Sequence, residues 1–414
     1  MIRQRASHVS VLSYVFLLGA LWLLLDCAHH PVWSAHLAAD VYTFFARANH
    51  FLTNMSWAGM DYNEYQPGAL WFFVLIGWLT STLGNYDAFL TATQMINLLF
   101  IALHFFLFQK HGHKHAAWLF LALAVTTGPI LLFRFELLVS LLTLWAWLDF
   151  QKEDHARSGL LLGLATSIKL YPIVLLPLLF GALLYRRKWT EAVRTGMFFA
   201  IGTLTPVMFA LVFGASLQEI LEGIRVHSLK PIGLESFWGN TITIVQSLVE
   251  IPLRVTPGYG VHGISSDLPM LTDAFLNNFW MLPTGLIILS CLWVGRKHGF
   301  TDPGFAFLVL LTFLYFSKVV NPQYLWWAVV FLPLMPFSWF GKKTRWFVVA
   351  AVLLSLLLTQ IVYPVYYTEY LDWYHGSVAS PRIFAIMVIR NILLFFVLAY
   401  TTYRLFRLPK TKKG

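Results

Sequence analysis

Apolar stretches of bilayer length recur from one end of this chain to the other, and they constrain its fold more than any other feature. Lipid offers no water to satisfy backbone N–H and C=O groups, so each such stretch has to be helical. At 1.5 Å of rise per residue, about 20 apolar residues cross the hydrocarbon core. Runs near 9–26, 87–108, 116–133, 136–150, 194–213, 273–295, 304–320, 323–340, 344–363 and 383–404 meet or approach that length. Residues 159–185 are interrupted by Lys169-Leu170-Tyr171-Pro172 and read as two short helices meeting at that break. Of the 414 residues 58% are hydrophobic and only 12% charged, which excludes a soluble domain. The expected fold is therefore an all-α polytopic membrane protein of about twelve transmembrane helices, one domain over residues 1–414. Cys27 and Cys291 show no ligand spacing, so neither a disulfide framework nor a zinc site is indicated.

Charge sets the expected orientation. Lys and Arg are retained on the cytoplasmic side of short loops. Twenty of the 29 basic residues fall in seven runs: MIRQR, QKHGHK, QKEDHAR, YRRKWTEAVR, GRKHG, GKKTRW and RLFRLPKTKKG. All seven share one face only if residues 66–84 lie along the outer surface or re-enter instead of crossing. Both termini are then cytoplasmic, and the outer loops are 27–86 and 214–272, each with interfacial helices. The net charge of +10 becomes a property of the cytoplasmic face, and no nucleic-acid partner is needed.

The other nine basic residues are Arg47, Arg134, Lys169, Arg225, Lys230, Arg254, Lys318, Arg382 and Arg390. Most fall at or above the outer boundary, where the acids also collect. A charge at mid-membrane costs roughly 2.5 to 3.5 kcal/mol on insertion scales, so Lys169 and Lys318 should face a cavity or a partner. Polar patches follow in order: Asp40 with Tyr42, Glu64-Tyr65-Gln66-Pro67, Arg134-Phe135-Glu136, and Ser167 to Pro172. Two more are His227 to Ser236, holding Lys230 and Glu235, and Ser317 to Tyr324. Carboxylates for proton abstraction and cations for a phosphate leaving group suit glycosyl transfer from a lipid-linked phosphosugar. A transporter or flippase of lipid-linked saccharides could carry the same groups, although it would place matched charges deep in two repeated halves. No such repeat is present.

The order of these patches resembles glycosyltransferase family 87, GT-C enzymes that use polyprenyl-phosphate sugars and include bacterial α-mannosyltransferases. The pieces that carry the resemblance are DVYTFFARA, EYQPGALW, RFELLVSLLTLWAWL, GLLLGLATSIKLYPIVLLPLLF, HSLKPIGLESFWGN and SKVVNPQYLWW. The resemblance implies a GT-C fold in the plasma membrane of a bacterium, with a periplasmic or extracellular site and no metal or other cofactor. It implies a polyprenyl-phosphate sugar donor, mannose favoured, and a lipid or glycan acceptor. Asp40 matches the acid that acts as catalytic base. Arg134, Lys169, His227, Lys230 and Lys318 become candidates for the donor phosphate. Tyr42, Glu64, Tyr65, Glu136, Tyr171, Glu235, Asn321, Gln323 and Tyr324 become candidates for the sugar or acceptor pocket. Three departures leave the substrate open: Gln66-Pro67 for a usual Pro-Pro pair, Glu136 for a common Asp, and Lys230-Pro231 for a usual Arg.

Overall fold

A computed structural model describes residues 11–408 apart from 61–64, 81–84, 114, 252, 266–271, 337, 338, 341, 378 and 379. It is 79% helical. Among the described residues, six helices are long and apolar enough to cross a membrane: Leu12–His29, Tyr86–His111, Trp189–Val212, Phe275–His298, Thr344–Val365 and Arg382–Leu405. Shorter apolar helices fill the space between them.

The chain opens with α1 (Val11–His29) and turns at once into α2 (Pro31–Asn54). Pro31 begins α2 without loss because a first-turn N–H has no helical partner. The 27–86 region is thus no loop around Asp40: Leu37, Val41, Phe44, Ala48 and Phe51 recur at helical spacing and are all buried. After α2 come α3 (Pro67–Thr80) and α4 (Tyr86–His111). Tyr65, just before α3, sets its ring 5.5 Å from that of Phe44. Tyr86, which starts α4, sets its ring 5.9 Å from that of Phe45 and donates its hydroxyl to the Ala38 carbonyl at 2.7 Å. Tyr65 and Tyr86, which flank the 66–84 segment, therefore dock on the same part of α2.

Helices α5 (Ala116–Thr127), α6 (Glu136–Gln151), α7 (His155–Ile168), α8 (Leu176–Tyr185) and α9 (Trp189–Val212) follow. As the sequence suggests, the chain breaks between two short helices at Lys169 to Pro172, through a 3-10 turn over Tyr171–Leu175. Small residues let α7 and α9 approach to backbone contact, since a Cβ on Gly163 would sit 2.2 Å from the Phe199 carbonyl oxygen and one on Gly202 2.4 Å from that of Leu160. Gly163→Ala should therefore force the two helices apart and cost about 1 to 3 kcal/mol. Thermal unfolding in detergent checks this, and an unchanged midpoint would show that the contact yields freely.

Beyond α9 the chain builds a mixed layer of short helices and strands, expected from the sequence to lie outside the membrane. Its parts are α10 (Leu217–Leu229), β1 (Ile232–Gly233), α11 (Phe237–Leu248), β2 (Arg254–Gly258) and β3 (Val261–Ser265). The fold is the expected all-helical membrane class, and to it this region adds a small three-stranded antiparallel sheet in the order β1-β3-β2, in which Ile264 of β3 pairs with Ile232 and with Val255. Gly233 extends the connection by donating its N–H to the Lys318 carbonyl at 2.9 Å.

Helices α12 (Asp273–Phe279), α13 (Leu282–His298), α14 (Pro303–Tyr315), α15 (Leu325–Val329), α16 (Lys342–Gln360), α17 (Tyr367–Tyr374) and α18 (Arg382–Leu405) complete the chain. The expected span 323–340 is not one helix, because Pro333 and Pro336 stop α15 after five residues and the rest continues as a short 3-10 turn over Leu332–Leu334. Two apolar cores result. The larger lies among the helices, and the smaller joins Ile232, Leu234, Ile242 and Ile264 to Tyr370, Tyr374, Ile383 and Met387. The second core locks the mixed layer onto α17 and the start of α18.

Candidate active site

Asp40 projects from α2, and its carboxylate forms an ion pair with the Arg134 guanidinium. Arg134 follows a 3-10 turn that starts after Gly128, and it is buried. It also donates to the carbonyls of Phe133 at 3.2 Å and Leu37 at 3.4 Å, which fix it against the Asp40 helix. Asp40 itself keeps 49% of its side chain exposed. That half-open carboxylate faces a cavity of about 100 Å³ whose wall includes Arg134, Lys169, His227, Gln66 and Gln323.

Lys169 occupies the C-terminal cap of α7 in extended conformation, which turns its side chain out of the helix. Its ammonium pairs with Glu136, the first residue of α6, whose side chain is wholly buried. Three rings surround the same ammonium, with Tyr324 at 4.6 Å, Phe135 at 4.9 Å and Trp327 at 5.3 Å from their centroids. Tyr171 stacks on Trp327 at 4.2 Å and Tyr324 stacks on its other neighbour side at 4.0 Å. The cluster is a single ion pair set among aromatic rings and partly closed to water, conditions under which electrostatic interactions are strengthened. One turn below Glu136, Ser140 accepts from the Trp326 indole at 3.0 Å and bonds His104 at 3.2 Å. These contacts fix the α6 terminus that carries Glu136.

The structure brings together Asp40, Tyr65, Arg134, Lys169, His227, Asn321, Gln323 and Tyr324 on one cavity. It does not bring the others there. Tyr42 points outward to pack on Tyr86, rings 5.6 Å apart. Glu136 and Tyr171 stand behind the wall. Lys318, expected at the donor phosphate, is instead buried with its ammonium on the carbonyls of Lys230 at 2.6 Å and Ser228 at 3.1 Å. Those bonds tie the connection between α14 and α15 to the segment that follows α10, and the buried Lys230 contributes its backbone to them. Glu64 lies outside the described residues.

Glu235 belongs to the second core. Arg390 bonds its backbone carbonyl at 2.6 Å, and carboxyl atom Oε2 is buried without a hydrogen-bond partner. Burial pushes this carboxyl from an ordinary 4.5 up to about 7, against the pull of Arg390. The folded state then holds the proton more tightly than the unfolded chain. This group's contribution is fully present below about pH 4.5 and lost as pH rises to about 7, on the order of 3 kcal/mol in all. Glu235→Gln should flatten that loss, and melting temperatures of both proteins at pH 5 and pH 8 check it. Equal shifts in the two proteins would contradict it. Tyr363 lies within electrostatic reach of Arg134, Asp40 and Glu235, so the two polar clusters are neighbours.

Sequence reasoning passed over two contributors. Arg47 lies seven residues beyond Asp40 on the same helix, and its guanidinium covers the Tyr65 ring at 4.5 Å. The i, i+7 spacing was the available signal. Gly260, in the turn between β2 and β3, brings that hairpin to the cavity rim.

Long apolar helices around a cavity walled by the half-open Asp40 carboxylate, Arg134, Lys169 and His227 define a polytopic membrane protein with a polar site. The chain belongs to glycosyltransferase family 87, whose model matches residues 63–322, and it is accordingly a membrane glycosyltransferase. No curated protein matches it.

Proposed function

We propose that this enzyme transfers a hexose, mannose in first place, from a polyprenyl-phosphate sugar to a lipid or glycan acceptor, with inversion. One observation carries the reading: Asp40 and three candidate phosphate-binding groups, Arg134, Lys169 and His227, share a single cavity wall. Asp40 precedes the residues matched by the family model, so its place rests on that geometry and on its ion pair.

In this mechanism Arg134 holds Asp40 through Oδ2, and Oδ1 meets the acceptor hydroxyl. The acceptor oxygen attacks the anomeric carbon as the bond from that carbon to the phosphate oxygen breaks. Asp40 takes the hydroxyl proton, and polyprenyl phosphate departs with the bonding pair. Lys169, Arg134 and His227 offset the charge on the leaving oxygens. Glu136 keeps the Lys169 ammonium in place before the donor arrives, and Tyr65, Gln323 and Tyr324 contact the sugar or acceptor. Lys318 is left out of the phosphate site because its ammonium is held by the carbonyls of Ser228 and Lys230.

We also propose a GT-C fold with about twelve crossings, both termini cytoplasmic and the cavity on the outer face. The basic runs support that orientation, and the docking of the flanking Tyr65 and Tyr86 on α2 supports a segment that does not cross. Membranes containing the enzyme, supplied with radiolabelled polyprenyl-phosphate mannose or glucose, test the reaction. Label in a new acceptor product supports transfer. Label that moves across liposomes only as the intact lipid would instead establish a flippase.

A further inference from the structure

The hairpin of β2 and β3 closes on a turn that its own sequence does not favour. Gly258 pairs with Val261 across it, so the loop is the two residues Tyr259 and Gly260, both at positive φ, 52° and 72°. That is the type I′ arrangement, whose first position is ordinarily Asn, Asp or Gly. A tyrosine there crowds its own backbone, and burial does not offset the cost, because Tyr259 is 49% exposed. Five non-glycine residues have positive φ among the described residues, and Tyr259 alone of them stands next in sequence to a residue of the Asp40 cavity wall. Side chains held in sparsely populated backbone conformations gather where binding makes use of them.

The place of the turn is fixed by the strands behind it. β3 lies between β2 and β1, with Gly263 paired to both Thr256 and Gly233. Gly233 donates to the Lys318 carbonyl at 2.9 Å, three residues before Asn321 of the cavity wall. The hairpin and the segment that carries Asn321, Gln323 and Tyr324 are thus one hydrogen-bonded unit. Gly260 forms part of the rim, and Tyr259 stands beside it.

The cavity measures about 100 Å³, below the roughly 300 Å³ at which binding sites begin to enclose a whole small ligand. It has room for the reacting groups but not for the rest of the acceptor, which must pass the rim. The surroundings of Tyr259 discriminate between acceptor classes. Arg254, Thr256 and Pro257 are exposed on the same edge strand, a surface that suits no acyl chain. An open aromatic ring in such a setting suits a pyranose: its negative face attracts the polarised C–H groups of one sugar face, while the hydroxyls stay in water.

We propose that Tyr259 stacks on a sugar ring of the acceptor. The acceptor is then a saccharide, free or as the head group of a glycolipid, and Tyr259 is a residue that sets its specificity. The proposal rests on the transferase reading for the place of the reacting hydroxyl.

Tyr259→Asn removes the ring while giving the turn a residue it prefers, so it separates binding from structure. Full-length enzyme in detergent receives labelled polyprenyl-phosphate mannose with methyl α-mannoside, octyl α-mannoside or octanol as acceptor. In Tyr259→Asn the KM for both mannosides should rise about three- to tenfold, the loss of one stacking contact, at unchanged kcat. The melting temperature should hold or rise, and Tyr259→Phe, which keeps the ring, should restore the wild-type KM. A lower KM for the octyl than for the methyl mannoside assigns the site to a glycolipid, and equal values assign it to a free saccharide. An unchanged KM in Tyr259→Asn, a joint fall of kcat and melting temperature, or a wild-type KM for octanol as low as that for octyl α-mannoside overturns the proposal. If the wild type transfers to none of the three, the reading of the reaction fails for these acceptors, and saturation-transfer NMR with methyl α-mannoside still decides the stacking. Transfer to the sugar C–H protons in the wild type but not in Tyr259→Asn supports it, and equal transfer, or none, overturns it.

Discussion

Asp40→Asn should lower sugar transfer by about 10² to 10⁴-fold, the range for loss of a positioned general base, while the protein still inserts and folds. Asparagine keeps the shape of the side chain and an oxygen for Arg134, so the ion pair becomes an ordinary hydrogen bond. Arg134 is buried and loses its counter-charge, but the asparagine oxygen and the carbonyls of Leu37 and Phe133 still accept from it, so the loss of stability should stay near about 1 to 3 kcal/mol. Transfer rates at saturating donor, measured beside the melting temperature, separate the two effects. Near-normal turnover would remove Asp40 from the mechanism. A large fall in melting temperature would instead make the Asp40–Arg134 pair structural.

The second large effect concerns Lys169 and Glu136. Lys169→Met leaves a fully buried carboxylate without its cation, and breaking a buried pair in this way costs about 3 to 5 kcal/mol. Activity and stability should fall together. In the double variant Lys169→Met with Glu136→Gln no isolated charge remains, so stability should return, whereas transfer should not if the ammonium meets the donor phosphate. Melting temperature and turnover of the two single variants and the double variant form the test. Recovery of both quantities in the double variant would reduce the pair to a structural role.

The helical membrane class and the ordered polar patches could be read from residue type and spacing, because burial in lipid leaves few alternatives. The surroundings of Asp40 could not be read by the same rule. His36, Asp40, Arg47 and His50 dilute the apolar content of 31–54, so a search for bilayer-length runs passes over α2. Its 3.6-residue stripe from Leu37 to Phe51 was nevertheless present. The length criterion also joined 323–340 into one span although Pro333 and Pro336 were visible inside it. Lys318 shows a different limit. Sequence gives the sign of its charge, but whether the ammonium meets a cavity or two carbonyls depends on chain segments about 90 residues apart. The sheet was hidden for a similar reason: β1 is two residues long, and only its pairing with β3 gives it identity.

The second core also sets an order of assembly. The Glu235 carbonyl waits for Arg390, which leaves the ribosome 155 residues later. At 5 to 20 residues per second that interval is about 8 to 30 s. Through it the Asp40–Arg134 and Glu136–Lys169 pairs can already form, but the layer above them has no α17 or α18 to rest on. Nascent chains stalled before residue 382 should therefore leave residues 232–265 open to protease, and release of full-length chains should close them. The layer beside the Asp40 cavity is finished by α18.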